Sequence, residues 1–427
     1  MPEPTAAERR PLPPVWRRRD RARAQRRRRV TILAKNAYGT GGIPRTIFLV
    51  ANELAARGHA VEVLSVYRLR QRPYVEVHPD VRLSFLVDRA GETPAAPLPR
   101  PRRDPAATER DRELDRRPSE LAEGIDEVLS ALTDRLLRER LKALPPGIVL
   151  ATRPALAVAA ARWAHPDALV VTQEHMTHVR RLSQLKRALR EVGDRLDAFT
   201  TLTIADLDRW RAELGPTPAR LAVIPNATPF AVTEPAPLTA PVIISAGRLA
   251  TQKAFDRLVE AFAPVAAAHP DWELHIYGSG PERPVIERRI AELGLVGRAR
   301  LMGFTDDMEG RLREASAYAM SSRYEGLPMV LLEAMSTGLP PVSLDCPEGP
   351  RQLIVDGVNG LLVGREDIAG LSRALLRVVE DPALRRRLGA EAMETARGYG
   401  LAAVVDQWEA LFDNLDARRG RTRMPRD

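Results

Sequence analysis

Cysteine occurs once in the 427 residues, at Cys346. That excludes an internal disulfide framework and a cysteine metal cluster, and it fits a reducing compartment. Long apolar runs are also missing. Arg153 interrupts the best candidate, "IVLATRPALAVAAA", short of the ~18 residues that a membrane-spanning helix needs. The basic start is followed only by "VTILA" before Lys35 and Asn36, far less than the apolar core of a secretory leader. The expectation is a cytoplasmic protein that does not cross a bilayer. Lysine is scarce as well, present only as Lys35, Lys142, Lys186 and Lys253, so a lysine at a strand end stands out.

The net charge of +9 suggests a nucleic-acid binder until its distribution is read. Residues 1–30 hold 11 arginines against 3 acids, and the remainder holds 54 basic and 53 acidic residues. The folded part is therefore near neutral. Aromatic residues do not interleave with the arginines of "RRRDRARAQRRRR", so base stacking has no platform and nucleic acid is not the expected partner. Residues 1–28 are expected to form a disordered, solvated tail, with peripheral contact to an anionic membrane surface as an alternative.

From residue 29 short apolar strands alternate with helical stretches. "RVTILAK" reads as a buried strand, "IPRTIFLVANELAARG" as a helix closed by Gly58, and "AVEVLSVY" as the next strand. Strands at 81–87, 147–151, 168–172, 198–202 and 220–224 continue a parallel sheet. The Pro- and Arg-rich stretch 88–118 reads as a disordered or loosely packed insert, followed by a long amphipathic helix over about 119–143. The apolar face of that helix is core or membrane-facing. A Pro- and Thr-rich linker near 235 precedes a second series, with strands at "VIISAGR", "WELHIYGSG", 299–302, 317–321, 341–344 and 360–363. The fold class expected is α/β, with two doubly wound Rossmann-like domains at 29–235 and 236–398. They would face each other across a crevice at their strand C-terminal ends. Residues 399–427 read as a C-terminal helix and tail packing back on the first domain.

Four stretches place chemistry on that crevice. In "NAYGTGGIPR", Gly39, Gly41 and Gly42 allow close backbone approach and leave helix amides for an anion; a tight strand-to-helix turn would read the same. "AGRLATQKAFD" puts Arg248 past a strand end and Lys253 at a helix start, two cations that suit a diphosphate if they are not merely solvated. In "RYEGLPMVLLEAMSTG", Pro328 reads as the first helical residue and Glu325 lies just ahead of it. Glu333 falls in an apolar run, where a carboxylate is costly unless hydrogen-bonded. Vicinal ribose hydroxyls would satisfy Glu333, and the amides near Met329 and Val330, beside Leu327, would hold phosphate. The competing reading makes both acids ordinary charges. "VVTQEHMTHVRR" delivers Gln173, Glu174 and His175 from the first domain, with His175 either a donor to a sugar hydroxyl or structural. His178, Arg180 and Arg181 are an acceptor side or a basic helix face. No Asp-x-Asp motif offers a metal site; "TDDM" at 305–308 reads as a turn.

"AGRLATQK", "LHIYGSGPE", "LMGFTDDM", the E-x7-E pattern from Glu325 to Glu333, and "DGVNGLLV" together resemble the family 4-type retaining glycosyltransferases of the GT-B fold over about 240–365. "GTGGIPRTIFLVANELAARGHAVEVLS" and "QEH" extend the resemblance more sparsely to the first half. The resemblance implies a hexose-type transfer from a nucleotide-diphosphate sugar, UDP favoured over GDP, with no metal or other cofactor. It implies that Arg248 and Lys253 bind the diphosphate, with Gly41 and Gly42 approaching it from the other domain. It assigns Glu333 to the ribose, and Glu325 and His175 to the transferred sugar, with Leu327, Met329 and Val330 at the donor. The two acids are then not an acid-base pair. Charge stabilisation of the departing diphosphate by Arg248, Lys253 and helix amides would carry most of the catalysis. "DCPEGPRQLI" at 345–354 resembles members acting on cell-envelope polymers or polyol phosphates, so a glycan, polyol-phosphate or lipid-linked acceptor is expected. A sugar-phosphate or starch-type synthase and a non-catalytic nucleotide-sugar binding or scaffold protein are the alternatives.

Overall fold

The computed structural model describes residues 27–39, 42–90, 108–121, 129–178, 183–232, 234–347 and 349–422. Two parallel sheets organise them. The first runs β1 (Arg29–Ala34), α1 (Gly42–Ala56), β2 (Ala60–Arg68), β3 (Val81–Asp88), α2 (Glu109–Arg116), α3 (Ala131–Ala143), β4 (Ile148–Ala151), α4 (Pro154–Trp163), β5 (Leu169–Glu174), α5 (Ser183–Glu191), β6 (Ala198–Thr201), α6 (Ile204–Leu214) and β7 (Arg220–Val223). Its strand order is β3-β2-β1-β4-β5-β6-β7. The continuous apolar runs of β1, β4 and β5 are those of strands covered on both faces. Accordingly Val30 and Ile32 join one core and Leu33 and Val170 the opposite one.

The second sheet runs β8 (Val242–Ala246), α7 (Phe255–Ala268), β9 (Glu273–Tyr277), α8 (Arg283–Glu292), β10 (Ala299–Gly303), α9 (Met308–Arg313), β11 (Ala317–Met320), α10 (Met329–Ser336), β12 (Pro341–Leu344), α11 (Pro350–Leu353) and β13 (Leu361–Val363). Its order is β10-β9-β8-β11-β12-β13. Two helices, α12 (Ile368–Glu380) and α13 (Pro382–Arg397), follow, and α14 (Leu401–Thr422) returns to the first sheet. There Val404, Val405, Trp408, Leu411 and Phe412 share a core with β1 and α1. Polar contacts fix the same seam: Arg57 reaches Asp406 at 2.6 Å and Glu409 at 2.7 Å, and buried His59 meets Glu409 at 2.9 Å.

Several expectations need correction. Helix α3 begins at Ala131, not near 119, because Ser130 and Thr133 form a reciprocal capping box that starts it there. Pro118 bridges to Ser130 instead. The stretch 88–118 is not all loose: Asp88 ends β3, and Glu109–Arg116 is a helix capped by Thr108. The stretch 91–107 lies outside the described residues, as does 1–26 of the basic tail. Arg28 itself is anchored, its guanidinium bonding Asp416 at 2.9 Å. "TDDM" starts α9, with Asp307 accepting from the Gly310 amide at 3.0 Å.

Among the described residues no helix is long and apolar enough to cross a membrane, and no three His, Cys, Asp or Glu gather in a metal-holding group.

Candidate active site

Contacts between the two sheets' domains come from segments that follow strand C-terminal ends. Arg45, after β1, reaches Glu333, after β11, at 3.2 Å. The Ile204 amide, after β6, donates to Gln352, after β12, at 3.3 Å. Tyr74, after β2, meets Phe304, after β10, edge-on with ring centroids 6.4 Å apart. A Cβ at Gly326 would lie 3.5 Å from the His175 carbonyl oxygen after β5. The crevice is therefore walled by the carboxyl ends of both sheets, the place where open α/β sheets bind ligands.

The second domain's wall is built at its topological switch point, between β8 and β11. Gly247, Arg248 and Leu249 leave β8 and pack on Gly278 and Gly280 leaving β9. A Cβ at Gly278 would stand 1.9 Å from the Gly247 carbonyl oxygen, and one at Gly280 would stand 2.3 Å from that of Leu249. Gly278 also takes φ +135°, a conformation that L side chains rarely adopt. The interleaving lets the Gly247 amide donate to Tyr277 at 3.0 Å and the Leu249 amide to Ser279 at 2.9 Å. It also leaves room above Gly247, where the Lys253 stem lies.

Lys253 and Glu325 meet there, Nζ to Oε1 at 2.6 Å. Ser322 donates to the same carboxylate oxygen at 2.6 Å. Gln252 donates to the Tyr324 carbonyl at 3.0 Å and fixes the loop that carries the acid. Both side chains of the pair are largely buried, 19% exposed for Lys253 and 8% for Glu325. Arg248 differs: it is exposed and forms no side-chain hydrogen bond or ion pair among the described residues.

Pro328 caps the helix rather than opening it. Its φ of −76° and ψ of 97° are extended, so α10 starts at Met329 and no side chain caps its first amides. Leu327 is buried, and Met329 and Val330 are half-buried at this end. Leu331, Leu332, Ala334 and Met335 are all fully buried, which holds the helix against β11 and α13. Glu333 shares that environment at 4% exposure, and burial pushes its carboxyl up to about 7 despite the Arg45 guanidinium, which acts the other way. The Tyr318 phenol beneath is raised by burial and then by the charges of Glu325 and Glu333. Gly349, from "DCPEGP", packs so closely that a Cβ would lie 2.5 Å from the Gly326 carbonyl oxygen. Cys346 in that stretch is buried, and its thiol is pushed up to about 12, chiefly by burial, so it is no nucleophile.

From the first domain, β5 extends through Glu174, two residues beyond the expected end, and places half-buried His175 opposite Gly326. His178 faces Glu213 at 3.5 Å, away from the role of a free acceptor group. Arg180 and Arg181 lie outside the described residues. Gly41 lies outside them too, while Gly42 is the exposed first residue of α1, with nothing within 4 Å of where a Cβ would stand. Sequence reasoning missed Arg45, Ser322 and Gln252. Arg45 is the last residue of the quoted stretch "NAYGTGGIPR", on the first turn of a helix aimed at the crevice, and that placement was its signal.

Two family models divide the chain. Residues 40–230 match Glycosyltransferase Family 4, and residues 230–395 match Glycosyl transferases group 1. The chain belongs to the family 4-type glycosyltransferases, and its fold is GT-B. An exopolysaccharide phosphotransferase of Streptomyces coelicolor is 34% identical over 92% of this chain and 41% of its own length. A lipopolysaccharide core biosynthesis glycosyltransferase, LpsE of Rhizobium meliloti, is 36% identical over 41% of this chain and 51% of that protein. The chain thus spans about half or less of these curated relatives. The crystal structure of Anabaena HepE in complex with UDP superposes with a TM-score of 0.67, at 16% identity, covering 90% of this chain and 100% of that one.

Proposed function

We propose that this protein is a glycosyltransferase that moves a hexose-type sugar from a nucleotide-diphosphate sugar, UDP-linked in preference to GDP-linked, to a cell-envelope glycan, polyol-phosphate or lipid-linked acceptor, with retention. The observation that carries the reading is the Lys253–Glu325 pair at the switch point, 2.6 Å apart, with buried Glu333 one turn into α10 and His175 across the crevice. A diphosphate drawn to exposed Arg248 and to Lys253 leaves Glu325 free for a hydroxyl of the sugar, while Glu333 accepts the vicinal ribose hydroxyls. When the anomeric carbon–oxygen bond breaks, its electron pair goes to the diphosphate. Two preplaced cations and the uncapped amides of α10 stabilise that charge without rearrangement. The acceptor hydroxyl forms the new bond, and its proton passes to the departing diphosphate oxygen. His175 contacts the transferred sugar near its reacting face. No metal is assigned a role. The acceptor class is supported by relatives named for exopolysaccharide phosphotransfer and lipopolysaccharide core biosynthesis, and the basic N-terminal tail is proposed as a peripheral membrane contact.

A thermal-shift screen against UDP, GDP, ADP and their hexose conjugates tests the donor site, because a ligand that binds only the native state raises the melting temperature. One nucleotide family should stabilise the protein, and Lys253→Ala should abolish the shift and lower transfer by about 10²–10³-fold. Absence of any shift at millimolar ligand would overturn the reading.

A further inference from the structure

Resting on that donor site, we propose that Arg45 is a positioning residue: reaching across the crevice from the first domain, its guanidinium holds the Glu333 carboxyl group in place and aimed at the donor's ribose. The contact is Nη1 to Oε1 at 3.2 Å, between a side chain 40% exposed and one 6% exposed. Among the described residues it is the side-chain hydrogen bond that the carboxylate receives, and Arg45 is the charge that acts on it. The other elements packed on α10 bring little that titrates. β11 contributes the Tyr318 phenol, whose own ionisation the two acids oppose. β12 carries no titratable residue, and α9 and α13 turn Leu312, Ala392 and Ala396 into the shared core.

The position of Arg45 is itself constrained. Its guanidinium lies 5.6 Å from the ring centroid of Phe230, so the cation is steadied by the segment that joins the two sheets. Arg45 and a ribose do not compete for the acid. A carboxylate offers about four lone-pair sites, and one guanidinium N–H with two vicinal hydroxyls uses three. A buried acid without its cation stays protonated to higher pH and then accepts fewer hydrogen bonds. Arg45 therefore makes nucleoside recognition in the second domain depend on the placement of the first.

The experiment measures binding of UDP-glucose, GDP-mannose and ADP-glucose to the full chain from pH 5.5 to 9 by calorimetry. The phosphodiesters of these probes do not titrate in that window. For whichever probe the wild type binds, Arg45→Ala should weaken affinity about tenfold near pH 5.5 and about fivefold near pH 7, matching a displacement of about one pH unit in the profile, and recover most of it at pH 9. Arg45→Lys should move the profile back toward wild type. In a Glu333→Gln background the profile should lose the limb due to Glu333, and Arg45→Ala should then add no pH-dependent change. A loss equal at all pH values, or an unshifted profile in Arg45→Ala, overturns this inference alone. If the wild type binds none of the three probes, the donor reading falls and this inference falls with it. The exposure of Arg45 makes misfolding of its variants improbable, and a melting curve of each checks it.

Discussion

The ends of the second sheet's strands interlock through backbone, whereas those of the first are tied by side chains. After β8 and β9 the glycines at 247, 278 and 280 let one turn nest against another at distances that no Cβ tolerates. After β2 and β3 the corresponding work falls to Arg68, whose Nε donates to Asp88 at 3.0 Å and whose guanidinium lies 4.3 Å from the Phe85 ring centroid. Arg89 does the same with Asp115 at 2.7 Å. Backbone nesting admits one residue type at each contact, and so fixes this wall closely. Side-chain ties admit many substitutes. The second sheet's wall is thereby rigidly specified, while the first sheet's wall is freer to vary.

The comparison breaks most directly at Gly278. A methyl group there collides with the Gly247 carbonyl and forces a left-handed conformation on an L residue, so either the two turns separate or the strand end shifts. Gly278→Ala should cost about 3 kcal/mol or more and should abolish nucleotide stabilisation even below the melting transition. Chemical denaturation with and without the nucleotide found in the screen measures both effects. A variant as stable as wild type would mean that the nested turns are not what holds this wall.

The same contrast explains what was legible in the sequence. The strand series could be read because the central strands, such as β1, β4 and β5, are covered on both faces and are largely apolar. Lys253, Glu325 and Glu333 stood out because glycine turns and an apolar helix that follows Pro328 surround them. The start of α3 was misplaced because Ser130, which decides it, lies inside a charged stretch whose helical periodicity looks continuous. Arg45 was missed because its meaning depends on a partner 288 residues away in another domain. Ser322 and Gln252 carry no spacing signal; they matter only once the β8 and β11 loops lie side by side.

A smaller effect sharpens the comparison at Glu333, a polar group set among the second domain's buried residues. Its folded-state value near 7 stands above the ordinary 4.5, so the native state favours the protonated acid. The advantage of that protonated form is complete below about pH 4.5 and is lost as pH rises to about 7, above which the ionised group is a constant penalty. Glu333→Gln keeps the shape and removes the ionisation. The ligand-free variant should therefore match wild type near pH 4.5 and exceed it by roughly 2–3 kcal/mol at pH 8, while binding nucleotide more weakly. Paired unfolding curves across that range decide it; a difference independent of pH would refute the burial cost.

The smallest effect belongs to the side-chain tie of the first sheet. The hydrogen bond from Arg68, first among the causes, holds the Asp88 carboxyl below its usual range. The pair thus adds stability above the ordinary carboxylate value, and that stability fades as pH falls through the depressed one. The Arg68 and Asp88 side chains are 23% and 33% exposed, so solvent screens much of the attraction. Arg68→Ala should cost only about 0.5–1 kcal/mol at pH 7, less in high salt and least in strong acid, where Asp88 is protonated. Because Arg68 also covers Phe85, some loss should persist in high salt, from contact rather than charge. Melting curves at low and high salt separate the two parts. A loss as large as that of Gly278→Ala would erase the distinction between the two walls, since a partly solvated tie would then be holding its sheet end as firmly as nested backbone holds the other.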